Sequence, residues 1–161
     1  MSLHILVTGG TFDKEYDAVS GQLCFNDTHL PQLLAQARCQ FAFPITTLML
    51  KDSLDLDDAD REVIARACHW VSQQRIVLIH GTDTMTDTAE ALVREGLGKT
   101  VVLTGAMVPY VFDQSDALFN LGSAMSLAQV LPAGVYIAMN GEVFRWDKVR
   151  KNRELGRFEA I

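Results

Sequence analysis

Short, nearly unbroken apolar runs alternate along this chain with longer segments of helical period. Leu3 to Thr8 is such a run and ends on Gly9-Gly10, a strand leading into a turn. Between Asn26 and Cys39, Leu30, Leu33, Leu34 and Ala37 recur at the spacing of one helix face. Pro31 fits the first turn of that helix, where an amide N–H has no partner to lose. Pro44 to Leu50 predicts a second strand. Asp57 to Val71 predicts an amphipathic helix capped by Asp57 or Asp58, with Val63, Ile64, Ala67 and Val71 turned inward.

Arg75 to Ile79 and Thr100 to Thr104 are apolar on both faces and predict buried strands. Between them, Thr86 to Glu95 predicts a helix with acidic residues in its first turn and Gly96 at its end. Asp113 to Leu131 predicts a long helix capped by Asp113 or Ser115. Val135 to Met139 predicts a further strand and Val143 to Val149 a short extended segment. Strand–helix alternation with fully apolar strands argues for a three-layer α/β sandwich around a mainly parallel sheet. No linker, repeat or low-complexity tract interrupts it, so residues 1–161 are expected to form one domain.

Composition narrows the class of activity. A hydrophobic fraction of 48% and a charged fraction of 21% are those of an ordinary globular protein. No run approaches the roughly 18 apolar residues of a membrane span, and no secretory signal opens the chain, so a cytoplasmic protein without a membrane partner is expected. Three cysteines with no CxxC spacing, and four histidines without an HExxH arrangement, suggest buried free thiols, no metal and no cofactor. Net charge is −6, and the one basic cluster, Arg145 to Arg157, is broken by Asp147 and Glu154. A nucleic-acid partner needs a larger electrostatic footprint; a small-molecule substrate fits better.

In open parallel α/β sheets, ligands bind beyond the carboxyl ends of the strands. Reactive residues do cluster just after the strands here. They are Thr8-Gly9-Gly10-Thr11-Phe12-Asp13, His80-Gly81-Thr82-Asp83-Thr84, Thr104-Gly105-Ala106-Met107 and Asn140-Gly141-Glu142. Glycine permits close approach of a ligand to the backbone, and free N–H groups at helix starts can hold a carboxylate or an oxyanion. Gly, Thr and Asp also recur in turns for purely local reasons, so the pattern by itself leaves both readings open. If it is a site, acyl transfer by threonine suits it. A threonine hydroxyl needs help to ionise, Asp83 beside a lysine could orient a proton network, and Tyr16 lies five residues past Thr11. Ser53 could bind a substrate carboxylate. A G-x-S-x-G elbow and a G-x-G-x-x-G turn are absent, and Gly96 to Thr100 only ends like a P-loop, with Val93 where the first glycine is required.

These stretches resemble a known family. Thr8-Gly9-Gly10-Thr11-Phe12, His80-Gly81-Thr82-Asp83-Thr84-Met85 and Thr104-Gly105-Ala106-Met107-Val108-Pro109 are similar to the three signature stretches of the bacterial-type L-asparaginases. Ser115 to Leu121 resembles the segment after the third. Met139-Asn140 through Lys151 resembles the run to the family's catalytic lysine. The resemblance implies a flavodoxin- or Rossmann-like N-terminal domain that converts L-asparagine, and to a lesser degree L-glutamine, to the acid and ammonia. It implies Thr11 as the nucleophile and Tyr16 as the assisting tyrosine. It also implies Thr82, Asp83 and Lys151 as a second triad, and Gly10, Ser53, Gly81 and Ala106 as substrate contacts. Where the family commonly has glutamine after the serine, this chain has Leu54.

The family usually carries a second domain that helps to bind the substrate's amino group. The chain is therefore read as the catalytic domain alone, with a homo-oligomer, dimer or tetramer, covering the faces left bare. Glu142 and Glu154 are candidates to supply the missing contact from a neighbouring copy. Two other readings stay open at this point: a module that binds aspartate or asparagine without turnover, and an amidase acting on a related substrate.

Overall fold

The computed structural model describes residues 3–161. In chain order the elements are β1 (Leu3–Gly9), β2 (Glu15–Asp17), β3 (Gln22–Cys24), α1 (Leu30–Gln36), β4 (Ile45–Lys51), α2 (Asp58–Trp70), β5 (Arg75–Ile79), α3 (Met85–Arg94), β6 (Thr100–Thr104), α4 (Ala117–Val130), β7 (Gly134–Met139), β8 (Glu142–Arg145), β9 (Val149–Asn152) and β10 (Arg157–Ala160). Six strands form one sheet in the order β4-β1-β5-β6-β7-β8. All its pairings are parallel except the last, where β8 folds back antiparallel on β7. The expected α/β architecture is what the chain adopts.

Side-chain alternation explains the layers. Leu3, Ile5 and Val7 of β1, with Val77 and Ile79 of β5, pack on one face among buried residues of α1 and α4. Leu6, Ile76 and Leu78 point to the other face, among Ile64 and Cys68 of α2 and Ala89 and Leu92 of α3. A strand buried on both sides has no polar side to show, hence the continuous apolar runs in the sequence. Burial of each such leucine or isoleucine is worth about 2 kcal/mol.

Several boundaries differ from expectation, each for a local reason. Asp57 caps α2, accepting from Asp60 N–H while the Asp60 carboxylate accepts from Asp57 N–H, a reciprocal box worth about 1 kcal/mol. On that helix Ile64, Ala65 and Cys68 are buried, but Val63 is 39% exposed and does not face the core. The helix expected from Asp113 starts at Ala117 instead. Ser115 Oγ donates to Val108 O and accepts from Ala117 N–H, so it holds the preceding loop, and Asp113 caps nothing among the described residues. The segment Val143 to Val149 is not one extended piece; it divides between β8 and β9. The hairpins β2–β3 and β9–β10 carry no clear alternation in the sequence. Of the three thiols, Cys68 alone is fully buried, which pushes its pKa up to about 12; Cys24 and Cys39 are half-buried. The Lys99 ammonium, P-loop-like in sequence, donates to Cys68 O and His69 O and so closes the carboxyl end of α2. No helix among the described residues is long and apolar enough to cross a membrane.

Candidate active site

Taking only the parallel strands, the sheet reads second-first-third-fourth-fifth, with β1 between β4 and β5. Connections leave β1 in one direction and return past it in the other. The crevice between the carboxyl ends of β1 and β5 is therefore the switch point where such sheets bind ligands. Thr11 follows β1 and Thr82 follows β5.

The two turns are pressed together. Gly10 has φ +76°, and a Cβ built on it would lie 2.4 Å from Gly81 Cα and 2.5 Å from Gly81 N. A Cβ on Gly81 would in turn lie 2.5 Å from Ser53 Cβ. Only hydrogen fits at either position, which lets the turns that carry Thr11 and Thr82 pack directly against each other at that crevice. Gly10 N–H donates to Lys51 O at 2.8 Å, tying the same turn to the end of β4. Thr11 is half-buried, and its hydroxyl makes no hydrogen bond among the described residues.

Lys151 completes the cluster. On β9, Val149 is buried and Lys151 shares its side of the strand two residues on, while Arg150 faces the other way to Glu159. Lys151 is 15% exposed at its side chain; its Nζ donates to Thr82 Oγ1 at 2.7 Å and to Asp83 Oδ1 at 2.8 Å. Arg153, 67% exposed, reaches the same carboxylate oxygen at 3.6 Å. Thr82 Oγ1 accepts from an ammonium, so its own hydrogen is free to point elsewhere.

Ser53 is buried and braces the loop: its Oγ accepts from Asp83 N–H at 3.2 Å, and its carbonyl accepts from Thr84 Oγ1 at 2.8 Å. Leu54 beside it is 63% exposed. Asp52, which caps this turn through Leu54 N–H, pairs with Lys14 from the Thr11 side. Burial pushes the Asp52 carboxyl up, but hydrogen bonds from Lys14 and Leu54, with the charges of Lys14 and Lys151, outweigh it and hold the group below its ordinary range. Ala106 is buried in a loop fixed by Asp116, which accepts from Met107 N–H, Val108 N–H, Asn120 Nδ2 and Asn140 Nδ2. Tyr16 stands apart from these. It lies on β2, is 58% exposed, and has no hydrogen bond to Thr11 among the described residues.

The sequence assigns no role to His80 and Asp13, although both stand in the clusters after β5 and β1, nor to Asp52 and Arg153, which lie beside Ser53 and Lys151. His80 is fully buried. Its Nδ1 faces Gly81 O at 2.7 Å, and a carbonyl only accepts, so Nδ1 carries the hydrogen and Nε2 accepts from Thr88 Oγ1 at 2.8 Å. The ring is neutral, and burial lowers its pKa from 6.5 to about 4, against the opposing Gly81 hydrogen bond. Above the unfolded value both states are neutral and this contribution is fully present. As pH falls, the unfolded chain takes a proton that the folded one refuses, and about 3 kcal/mol of stability is lost by pH 4. Urea midpoints at pH 7 and pH 4 should therefore converge in His80→Asn relative to the unsubstituted protein. An unchanged gap would mean that other groups set the acid sensitivity.

The family description "Asparaginase, N-terminal" matches residues 2–160. L-asparaginase 1 of Escherichia coli K12 is 31% identical over 170 residues, covering 99% of this chain and 50% of that protein. Among solved structures, the thermostable L-asparaginase of Thermococcus kodakarensis matches with a TM-score of 0.82 at 30% identity, over 100% of this chain and 51% of its own. L-asparaginase I of Vibrio cholerae matches with a TM-score of 0.83 at 29% identity, over 99% and 51%. The chain thus spans about half the length of the relatives it matches.

Proposed function

Since this chain belongs to the asparaginase family, we propose that it is the catalytic domain of an amidohydrolase that converts L-asparagine to L-aspartate and ammonia through an acyl-enzyme on Thr11. The observation that carries this reading is the meeting of the β1 and β5 turns at the switch point, with Lys151 Nζ bonded to both Thr82 Oγ1 and Asp83. Thr11 Oγ attacks the side-chain amide carbon. The N–H groups of Thr11 and Thr82, which have no acceptor within the described residues, are the candidates to hold the oxyanion. The proton lost by Thr11 equals the one gained by the departing nitrogen, so a single relay balances the step. Tyr16 is the family's candidate for the first transfer, and Thr82, polarised by Lys151, can deliver the proton to nitrogen. Water then cleaves the ester and returns a proton to Thr11.

Ser53 keeps its hydroxyl hydrogen for a substrate carboxylate, and Gly10, Gly81 and Ala106 are the further substrate contacts in this reading. No cofactor is part of this reading. Self-association, as a dimer or tetramer, belongs to it: Phe119 and Val130 are exposed on one outer face of α4. The test is ammonia release from both amides. Asparagine is expected to exceed glutamine in kcat/KM by about tenfold or more, since one methylene in a tight pocket is worth that much. Calorimetric binding of aspartate with no ammonia from either amide would replace the reading with a non-catalytic binding module.

A further inference from the structure

One carboxylate beside the Thr11 turn is left half unpaired. Asp13 is fully buried two residues after Thr11. Its Oδ1 accepts from Thr28 Oγ1 at 3.0 Å and from His29 N–H at 2.8 Å, whereas Oδ2 is buried without a partner. Between Asp13 and Thr28 lies the whole β2–β3 hairpin that carries Tyr16. Phe12, next to Asp13, is buried in the α1–α4 side of the core and its carbonyl accepts from Tyr110 N–H at 3.3 Å. Lys14, on the other side, is paired outward to Asp52. A residue whose only task was to end the turn would not need a buried carboxylate, which is costly to desolvate.

We infer that Asp13 is a positioning residue, a clasp that joins the two feet of the hairpin and fixes the Thr11 turn against the start of α1. This rests on the proposed amidohydrolase reading for its catalytic consequence, but not for the clasp itself. The ionisable neighbours are His29, whose Nε2 lies 3.4 Å from Glu15 and whose ring lies 5.9 Å from that of Tyr110, and Asp27, which accepts from Thr28 N–H. Burial is the main reason the Asp13 carboxyl is held above its ordinary pKa, against the hydrogen bonds from His29 and Thr28. Asparagine, which matches the carboxyl group in shape and keeps the accepting oxygen, is the conservative replacement, with its NH2 in place of the unpaired Oδ2.

The test compares Asp13→Ala with Asp13→Asn by amide hydrogen exchange and steady-state kinetics. In the alanine variant, amides of residues 14–28 should exchange about tenfold faster or more while those of β1, β5 and β6 keep their rates. Ammonia release should lose about a hundredfold in kcat with KM nearly unchanged, the size expected from a displaced nucleophile. The asparagine variant should restore both readouts to within about threefold, as a kept hydrogen bond would. Should the alanine variant not fold, Thr28→Val, which removes one of the two donors, is expected to speed exchange over the same segment. Normal exchange across 14–28 in whichever of these variants folds, uniform acceleration that includes the central strands, or an asparagine variant as impaired as alanine, would overturn the clasp. The exchange readout needs no substrate, so it stands or falls separately from the proposed activity.

Discussion

Thr11→Ala is expected to release no ammonia above background from asparagine, a loss of about ten-thousandfold or more in kcat, because in the proposed mechanism Thr11 carries the acyl group and Thr82 is engaged as the proton donor. The fold should hardly notice. Thr11 is half-buried and its hydroxyl has no partner among the described residues, so no donor or acceptor is stranded and the stability change should stay within about 1 kcal/mol. Thr11→Ser separates a nucleophile from a mere contact. It keeps the oxygen but loses the methyl that restricts χ1, so it should retain measurable turnover at a reduced rate. Ammonia assays beside thermal melts decide the matter. Undiminished release by the alanine variant would remove Thr11 from the mechanism.

Thr11 was also the residue most exposed to a purely local explanation, since a threonine after Gly-Gly is ordinary turn chemistry. What the sequence could reveal was position along the chain: apolar runs marked β1, β5, β6 and β7, and the polar clusters followed each of them. It could not reveal strand order, and strand order is what makes the β1–β5 crevice the switch point. Nor could it reveal contact across that crevice, because the fit of Gly10 against Gly81 depends on how two distant turns pack. Lys151 was reachable only by resemblance. Its strand has four residues, two of them basic, and the alternation that turns it inward is visible only once Val149 is seen to be buried. The late start of α4 has the same origin: Ser115 and Asp116 are good capping residues, but both are taken up by the loop that carries Ala106.

Lys151→Met should lower kcat by about a hundredfold to ten-thousandfold, the range of a lost acid–base partner, and leave the melting temperature within a few degrees. Two effects combine in that number. The ammonium donates to Thr82 Oγ1, which directs the Thr82 hydrogen away from itself and makes that hydrogen easier to give up; methionine has no hydrogen to donate and does neither. The same ammonium holds Asp83, whose remaining cation, Arg153, is farther away and mostly exposed, and is a weak substitute in water. Lys151→Arg tests which effect matters more. Its guanidinium can still pair with Asp83, but it is larger and cannot give up a proton at working pH. If the pair with Asp83 were the whole contribution, arginine would restore most of the activity. If the lysine also exchanges protons with Thr82, arginine should stay nearly as impaired as methionine. A methionine variant within about threefold of the unsubstituted kcat would exclude both roles and reduce Lys151 to a partly buried ion pair.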